Sequence, residues 1–146
     1  MGKIIKLALI LAIFCVISAG GLAFIYMFTQ PKIDLNQKLV YDSSVKEVLP
    51  QPGQAIPVSP RGYSGTIKML VGIDKTGKVI GLKVLSQTET PGLGANVVNQ
   101  NFLKQFIGKT AKDPIEPKKD IDAITGATIS SRAVCAGVKQ ALKEAK

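Results

Sequence analysis

The stretch "TIKMLVGIDKTGKVIGLKVLS", Thr66–Ser86, decides the fold class. Ile67, Met69, Val71 and Ile73 alternate onto one face, "DKTG" at Asp74–Gly77 is a four-residue turn, and Ile80, Leu82 and Val84 alternate again. Alternation broken by a turn predicts a β-hairpin with one face on a core. Two strands alone are marginal in water, so other elements must cover that face, part of them drawn from residues 29–62.

Downstream, "QTETPGLGANV" at Gln87–Val97 holds Pro91, Gly92 and Gly94, which rule out a continuous strand or helix. A helix is expected from near Asn96, with Val98, Phe102 and Phe106 spaced by four and Gly108 as its stop. "KTAKDPIEPKKD" reads as loop, and "SSRAVCAGVKQALKEAK" as a final helix with Val134, Val138, Ala141 and Leu142 on its apolar side. Upstream, "SSVKEVLP" predicts a short helix capped at Ser43 or Ser44 and stopped by Pro50. "QPGQAIPVSPRG", with three prolines and two glycines, reads as extended linker. The order of elements gives an α+β class, helices packed on a small antiparallel sheet.

Leu7–Phe28 is 22 residues without a charge. As a helix it reaches roughly 33 Å at about 1.5 Å per residue, against a bilayer core of about 30 Å. A cleaved signal peptide and a retained transmembrane anchor both fit. The run exceeds the usual signal core of about 7–15 residues, and Tyr26 and Phe28 suit a membrane–water boundary, which favours the anchor. Either way Lys3 and Lys6 are expected in the cytoplasm and residues 29–146 on the outer face.

The net charge is +9 and there is no histidine. The lysines are scattered and aromatics few, so nucleic acid is not the expected partner. Anionic lipid or a phosphate-bearing cofactor fits better. Without histidine, and with Cys15 and Cys135 far apart, no catalytic base and no metal site are expected. Cys135 falls on the apolar side of the last helix and reads as a small buried hydrophobe.

Two segments resist a purely structural reading. In "DAITGATISSRAV", Asp122–Val134, the residues Thr128, Ser130 and Ser131 are all competent helix caps. The same turn at a helix N-terminus is also a ready anion site, with Gly126 and Ala127 leaving room for a bulky group. In "ETPGLG", Glu89–Gly94, a loop is the plain reading, yet such a backbone can offer N–H and C=O groups to a flat ligand.

Taken together, "GYSGTIKMLVGID", "GLKVLSQTETPGLG" and "IDAITGATISSRAV" resemble the covalent FMN-binding domain family. That family includes the G subunit of the Rnf ion-translocating electron-transport complex and the C subunit of the sodium-translocating NADH:quinone reductase. The resemblance implies FMN joined by a phosphoester to Thr128. It implies recognition by a flavin transferase through Asp122, Thr125, Gly126, Ala127 and Thr128, and a cofactor pocket drawn from Glu89, Thr90, Leu93, Thr125, Gly126 and Ala127. Relatives usually carry histidine where this chain has Gln87.

The resemblance further implies a domain plan: a cytoplasmic end at 1–6, a transmembrane helix at 7–28, a tether at 29–61 and an FMN-binding domain at 62–146. The expected function is electron relay in the prokaryotic cell membrane. Its expected partners are the other membrane subunits of an Rnf-type complex, membrane lipid, and the transferase during maturation. Two alternatives are a membrane-anchored sensor of a phosphorylated ligand and the equivalent flavin subunit of another membrane reductase.

Overall fold

The computed structural model describes residues 2–145. The chain divides into two units, one ending at Leu39 and the other beginning at Val40.

The first unit is helical. Helix α1 spans Gly2–Val48 and is long and apolar enough to cross a membrane. Its residues from Gly2 to Thr29 are all exposed, with large apolar side chains on every side. A helix hydrophobic all round has no aqueous face to present, and lipid is the solvent that suits it. The helix does not stop at the expected tether. Pro31 lies inside it, and from Lys32 to Leu49 the sequence holds neither glycine nor proline. The helix therefore runs on to Val48, two residues before Pro50. The residue preceding a proline is disfavoured in helical conformation. Ser43 and Ser44 accordingly lie within α1 rather than capping a new helix.

The second unit carries a three-stranded antiparallel sheet of order β1-β2-β3, with β1 at Gly53–Val58, β2 at Lys68–Asp74 and β3 at Val79–Ser86. The linker reading of residues 51–62 is thus corrected. Gly53–Val58 pairs with β2 from Gly53↔Asp74 to Val58↔Met69. Its Pro57 is tolerated because β1 is an edge strand, where one missing N–H breaks no inner ladder.

The hairpin register also differs from strict alternation. Met69 pairs with Val84 and Val71 with Leu82, but Ile73 pairs with Val79. A bulge beside Gly72 makes Ile80 the extra residue, so Val79 is fully buried and Ile80 only partly.

Both faces of β2 are covered. On one face Met69, Val71 and Ile73 meet α3, Thr128–Glu144, and the Phe102–Phe106 region. On the other, the end of α1 lies against the sheet. A Cβ at Gly72 or Gly81 would sit 2.3 Å from the Val48 carbonyl oxygen, so both strand glycines are demanded by this close approach. The Lys83 ammonium pairs with Glu47 alongside.

The segment after the sheet is not one helix. It is a 3-10 turn at Gly94–Val98, the short α2 at Gln100–Leu103, and a 3-10 turn at Lys104–Phe106. Asn99, in extended conformation, breaks the run, and its side chain accepts from the Asn101 N–H. This break rotates the pattern. Val97 is buried in place of Val98, while Phe102 and Phe106 stay in the core with ring centroids 5.4 Å apart. Helix α3 buries Val134, Cys135, Val138, Ala141 and Leu142, as its spacing predicts. Burial pushes the Cys135 thiol up to about 11, with the Asp120 carboxylate adding to the effect, so it packs as an inert hydrophobe.

Candidate functional site

Helix α3 begins at Thr128 with Ala127 in the capping position, and no side chain caps its first turn. The three expected caps do other work. Ser131 accepts from the Ile124 N–H at 3.0 Å and donates to the Ala127 carbonyl at 3.0 Å, fastening the preceding turn to the helix. Ser130 donates to Glu89. Thr128 is half-buried at the helix start. Gly126 has φ +74°, a left-handed conformation that glycine adopts without cost, and it turns the chain into α3.

Glu89 is 5% exposed. Its carboxylate accepts the main-chain N–H groups of Tyr63, Ser64 and Gly65 at 3.3, 3.0 and 3.3 Å, together with the Ser130 hydroxyl. Burial pushes its pKa up, but the Ser130 hydroxyl and the three N–H groups outweigh that and hold it below the ordinary glutamate value. Gln87 bends back so that its side-chain carbonyl accepts the Glu89 N–H at 2.6 Å. One carboxylate thus ties together three segments distant in sequence: the "GYSG" loop, the "ETPGLG" loop and α3.

These segments enclose a cavity of about 460 Å³, within the usual range for small-molecule sites. Of the residues singled out by sequence, Glu89, Thr90, Leu93, Gly126, Ala127 and Thr128 line it. Thr125 and Asp122 are exposed and do not. Tyr63, Gly94, Ile129 and Ser130 also line it, and sequence reasoning missed them as site residues. The signal that could have found them was the glycine bracket around Tyr63 and the one-turn spacing from Gly126 to Ser130. Exposed Tyr63, Leu93 and Ile129 give an apolar rim, while the uncapped start of α3 gives polar N–H groups at the base.

Such a pairing suits a flat apolar ring carrying a phosphate. The family model described as the FMN-binding domain matches residues 62–143, more than half of the chain. The chain belongs to the FMN-binding domain family. A second model, the RnfG N-terminal region, matches residues 1–48.

Among curated relatives, the G subunit of the proton-translocating ferredoxin:NAD(+) oxidoreductase complex of Clostridium ljungdahlii is 44% identical over 95 residues, covering 61% of this chain and 51% of the relative. The G subunit of the ion-translocating oxidoreductase complex of Shewanella baltica is 40% identical over 94 residues, with 58% and 44% covered. That of Pseudomonas aeruginosa is 29% identical over 188 residues, with 97% and 88% covered. The chain spans about half the length of the first two. Among solved structures, NqrC of Shewanella oneidensis shares the fold with a TM-score of 0.52, at 23% identity, over 60% of this chain and 48% of that one.

The residues present fit the family's cofactor. The cavity has the volume, the rim is apolar, and the helix start supplies N–H groups beside a hydroxyl. Glu89 stays a charged carboxylate in the lining, its oxygens engaged by four neutral donors.

Proposed function

We propose that this chain is the membrane-anchored flavoprotein subunit of an Rnf-type ion-translocating ferredoxin:NAD oxidoreductase, relaying electrons through FMN held covalently on Thr128. The observation that carries this reading is the position of Thr128. It is a hydroxyl at the uncapped start of α3, opening onto a cavity with an apolar rim, in a chain of the FMN-binding domain family.

The bound flavin supplies one- and two-electron redox chemistry, and the protein supplies position and electrostatics. The N–H groups of the first turn of α3, Thr128–Ser130, would hold the phosphate, since the Ala127 N–H is already given to the Ile124 carbonyl. Tyr63, Thr90, Leu93 and Ile129, which line the cavity, would wall the ring. Glu89 and Ser130 keep the two loops and the helix in register.

Attachment forms a bond between Thr128 Oγ and the FMN phosphorus. It breaks the phosphoanhydride of a flavin dinucleotide donor, and the hydroxyl proton is transferred as the nucleoside monophosphate leaves. A threonine hydroxyl is a weak nucleophile at its own pKa, so the base belongs to a separate transferase. Residues 7–28 anchor the domain in the cell membrane, with Lys3 and Lys6 on the cytoplasmic side and residues from 29 onward outside. Ser18, Gly20 and Gly21 permit close packing against other membrane subunits of the complex.

The fold shared with NqrC supports a second reading, the equivalent subunit of another membrane reductase. Co-purification from the native membrane separates the two by which neighbours accompany the chain. Covalent attachment is tested on a denaturing gel under ultraviolet light. With the transferase co-expressed, wild-type protein gives a fluorescent band and Thr128→Ala gives none. An equally fluorescent Thr128→Ala band would reject Thr128 as the tether.

A further inference from the structure

Of the residues that line the cavity, Glu89 alone carries a charge. Its carboxylate is enclosed by main chain. It accepts from the N–H groups of Tyr63, Ser64 and Gly65, and a Cβ at Gly62 or Gly94 would collide with its oxygens. So enclosed, the residue is buried, and water screens its charge little. Its four partners are neutral dipoles, which hold the charge in place without cancelling it. The lysines and arginines behind the net charge of +9 do not line the cavity. At an exposed surface their fields are weakened by water and salt.

The charge also stands beside the wall assigned to the ring. Tyr63 gives its own N–H to the carboxylate, and Thr90 follows Glu89 in the chain. Two electrons and one proton leave a flavin with one added negative charge. A fixed negative charge nearby opposes that change, and in a cavity of low dielectric it does so more strongly than in water.

We propose that Glu89 sets the potential of the bound flavin: its lone carboxylate disfavours the reduced ring and makes it a stronger electron donor. The proposal rests on the reading of FMN held on Thr128. It gives Glu89 a task that fastening the two loops to α3 does not require, because the fastening needs acceptor oxygens and the task needs their charge.

The test uses full-length holoprotein in detergent, with the flavin attached by co-expressed transferase so that weaker reversible binding does not empty the site. The midpoint potential is read by anaerobic titration with dithionite and mediator dyes while the flavin absorbance is followed. In Glu89→Gln, reduction is expected to be favoured about tenfold, which raises a two-electron midpoint by about 30 mV. Glu89→Asp keeps the charge and is expected to lie nearer wild type. Ser130→Ala breaks the same tie yet keeps the charge with one donor fewer. Its midpoint is expected to fall, by about threefold in the same equilibrium constant.

A Glu89→Gln midpoint at or below the wild-type value overturns the proposal. So does an equal rise in Glu89→Gln and Ser130→Ala, which would assign the effect to the broken tie. If Glu89→Gln does not fold or takes no flavin, Ser130→Ala decides: a lowered midpoint supports the proposal, and an unchanged or raised one overturns it. Wild-type protein that carries no flavin overturns the covalent reading instead, which keeps the two failures distinct.

Discussion

Glu89 and Asp120 are two carboxylates that organise loops by collecting main-chain N–H groups, yet they are balanced differently. Glu89 takes three N–H groups and the Ser130 hydroxyl, all neutral, and among the described residues no cation pairs with it. Asp120 takes the N–H groups of Ile115 and Glu116 at 3.1 and 2.8 Å, and the Lys109 ammonium at 2.9 Å. Its loop needs that grip, because Ile115 and Lys118 hold positive φ of 44° and 68°, conformations that cost side-chain-bearing residues free energy. The contrast separates two tasks. Asp120 is a neutralised staple in a connecting loop, whereas Glu89 sets a lone buried negative charge at the edge of the cavity.

The largest effect is expected from breaking the first of these. Glu89→Gln replaces two acceptor oxygens by one oxygen and an NH₂ that faces N–H donors. A loss of about 3 kcal/mol is expected in chemical denaturation. Free FMN is expected to bind more weakly in the same variant, because the "GYSG" loop and α3 lose their common tie. A stability loss with unchanged FMN affinity would show that the tie does not shape the cavity.

Acid separates the two groups more gently. Folding lowers both carboxylate pKa values. For Glu89, burial raises the pKa and is outweighed by Ser130 and the three N–H groups. For Asp120, burial raises it and is outweighed by the Glu116 N–H, Lys109 and the Ile115 N–H. A lowered folded pKa means that the stabilisation is complete above the ordinary values of 4.5 and 3.8, and is lost as the pH falls through the folded ones. The melting temperature of wild-type protein is therefore expected to fall as the pH drops below about 4.5, and that of Glu89→Gln to fall less steeply. Parallel curves would mean that Glu89 does not contribute through its charge.

The smallest effect belongs to the ion pair. Lys109 and Asp120 are 23% and 17% exposed, so Lys109→Met is expected to cost about 1 kcal/mol and to reduce the sensitivity of stability to salt. Glu89→Gln, with no cation involved, is expected to leave salt sensitivity unchanged.

Much of this was legible in the sequence, and the remainder failed for particular physical reasons. The hairpin and α3 were readable because a half-buried strand and an amphipathic helix write their period into the chain. The bulge that exchanges Ile80 for Val79 was not, since it answers the close approach of Val48 to Gly72 and Gly81, a contact from distant sequence. β1 was hidden by Pro57 within it, which an edge strand tolerates, and by Pro52 and Pro60 on either side. Val97 replaced Val98 because the Asn99 side chain bonds locally and stops the helix.

At the site, Thr128 was singled out by the resemblance of its motif to the family's, and the glycine-rich loop alone was a weak signal. The work of Ser130 did not, because a serine near a helix start reads as a cap until its partner is seen 41 residues away. Gln105 was likewise silent: an amide among Phe102, Leu103, Phe106 and Ile107 carries no signal of the Asp122 main chain it will meet.

The most direct measurement of the central claim is peptide mapping by mass spectrometry of protein taken from its native membrane. The account predicts that the peptide containing Asp122–Arg132 carries the mass of one FMN less one water, localised to Thr128 by fragmentation. An unmodified Thr128 in that peptide, or the same added mass on a different residue, would contradict it.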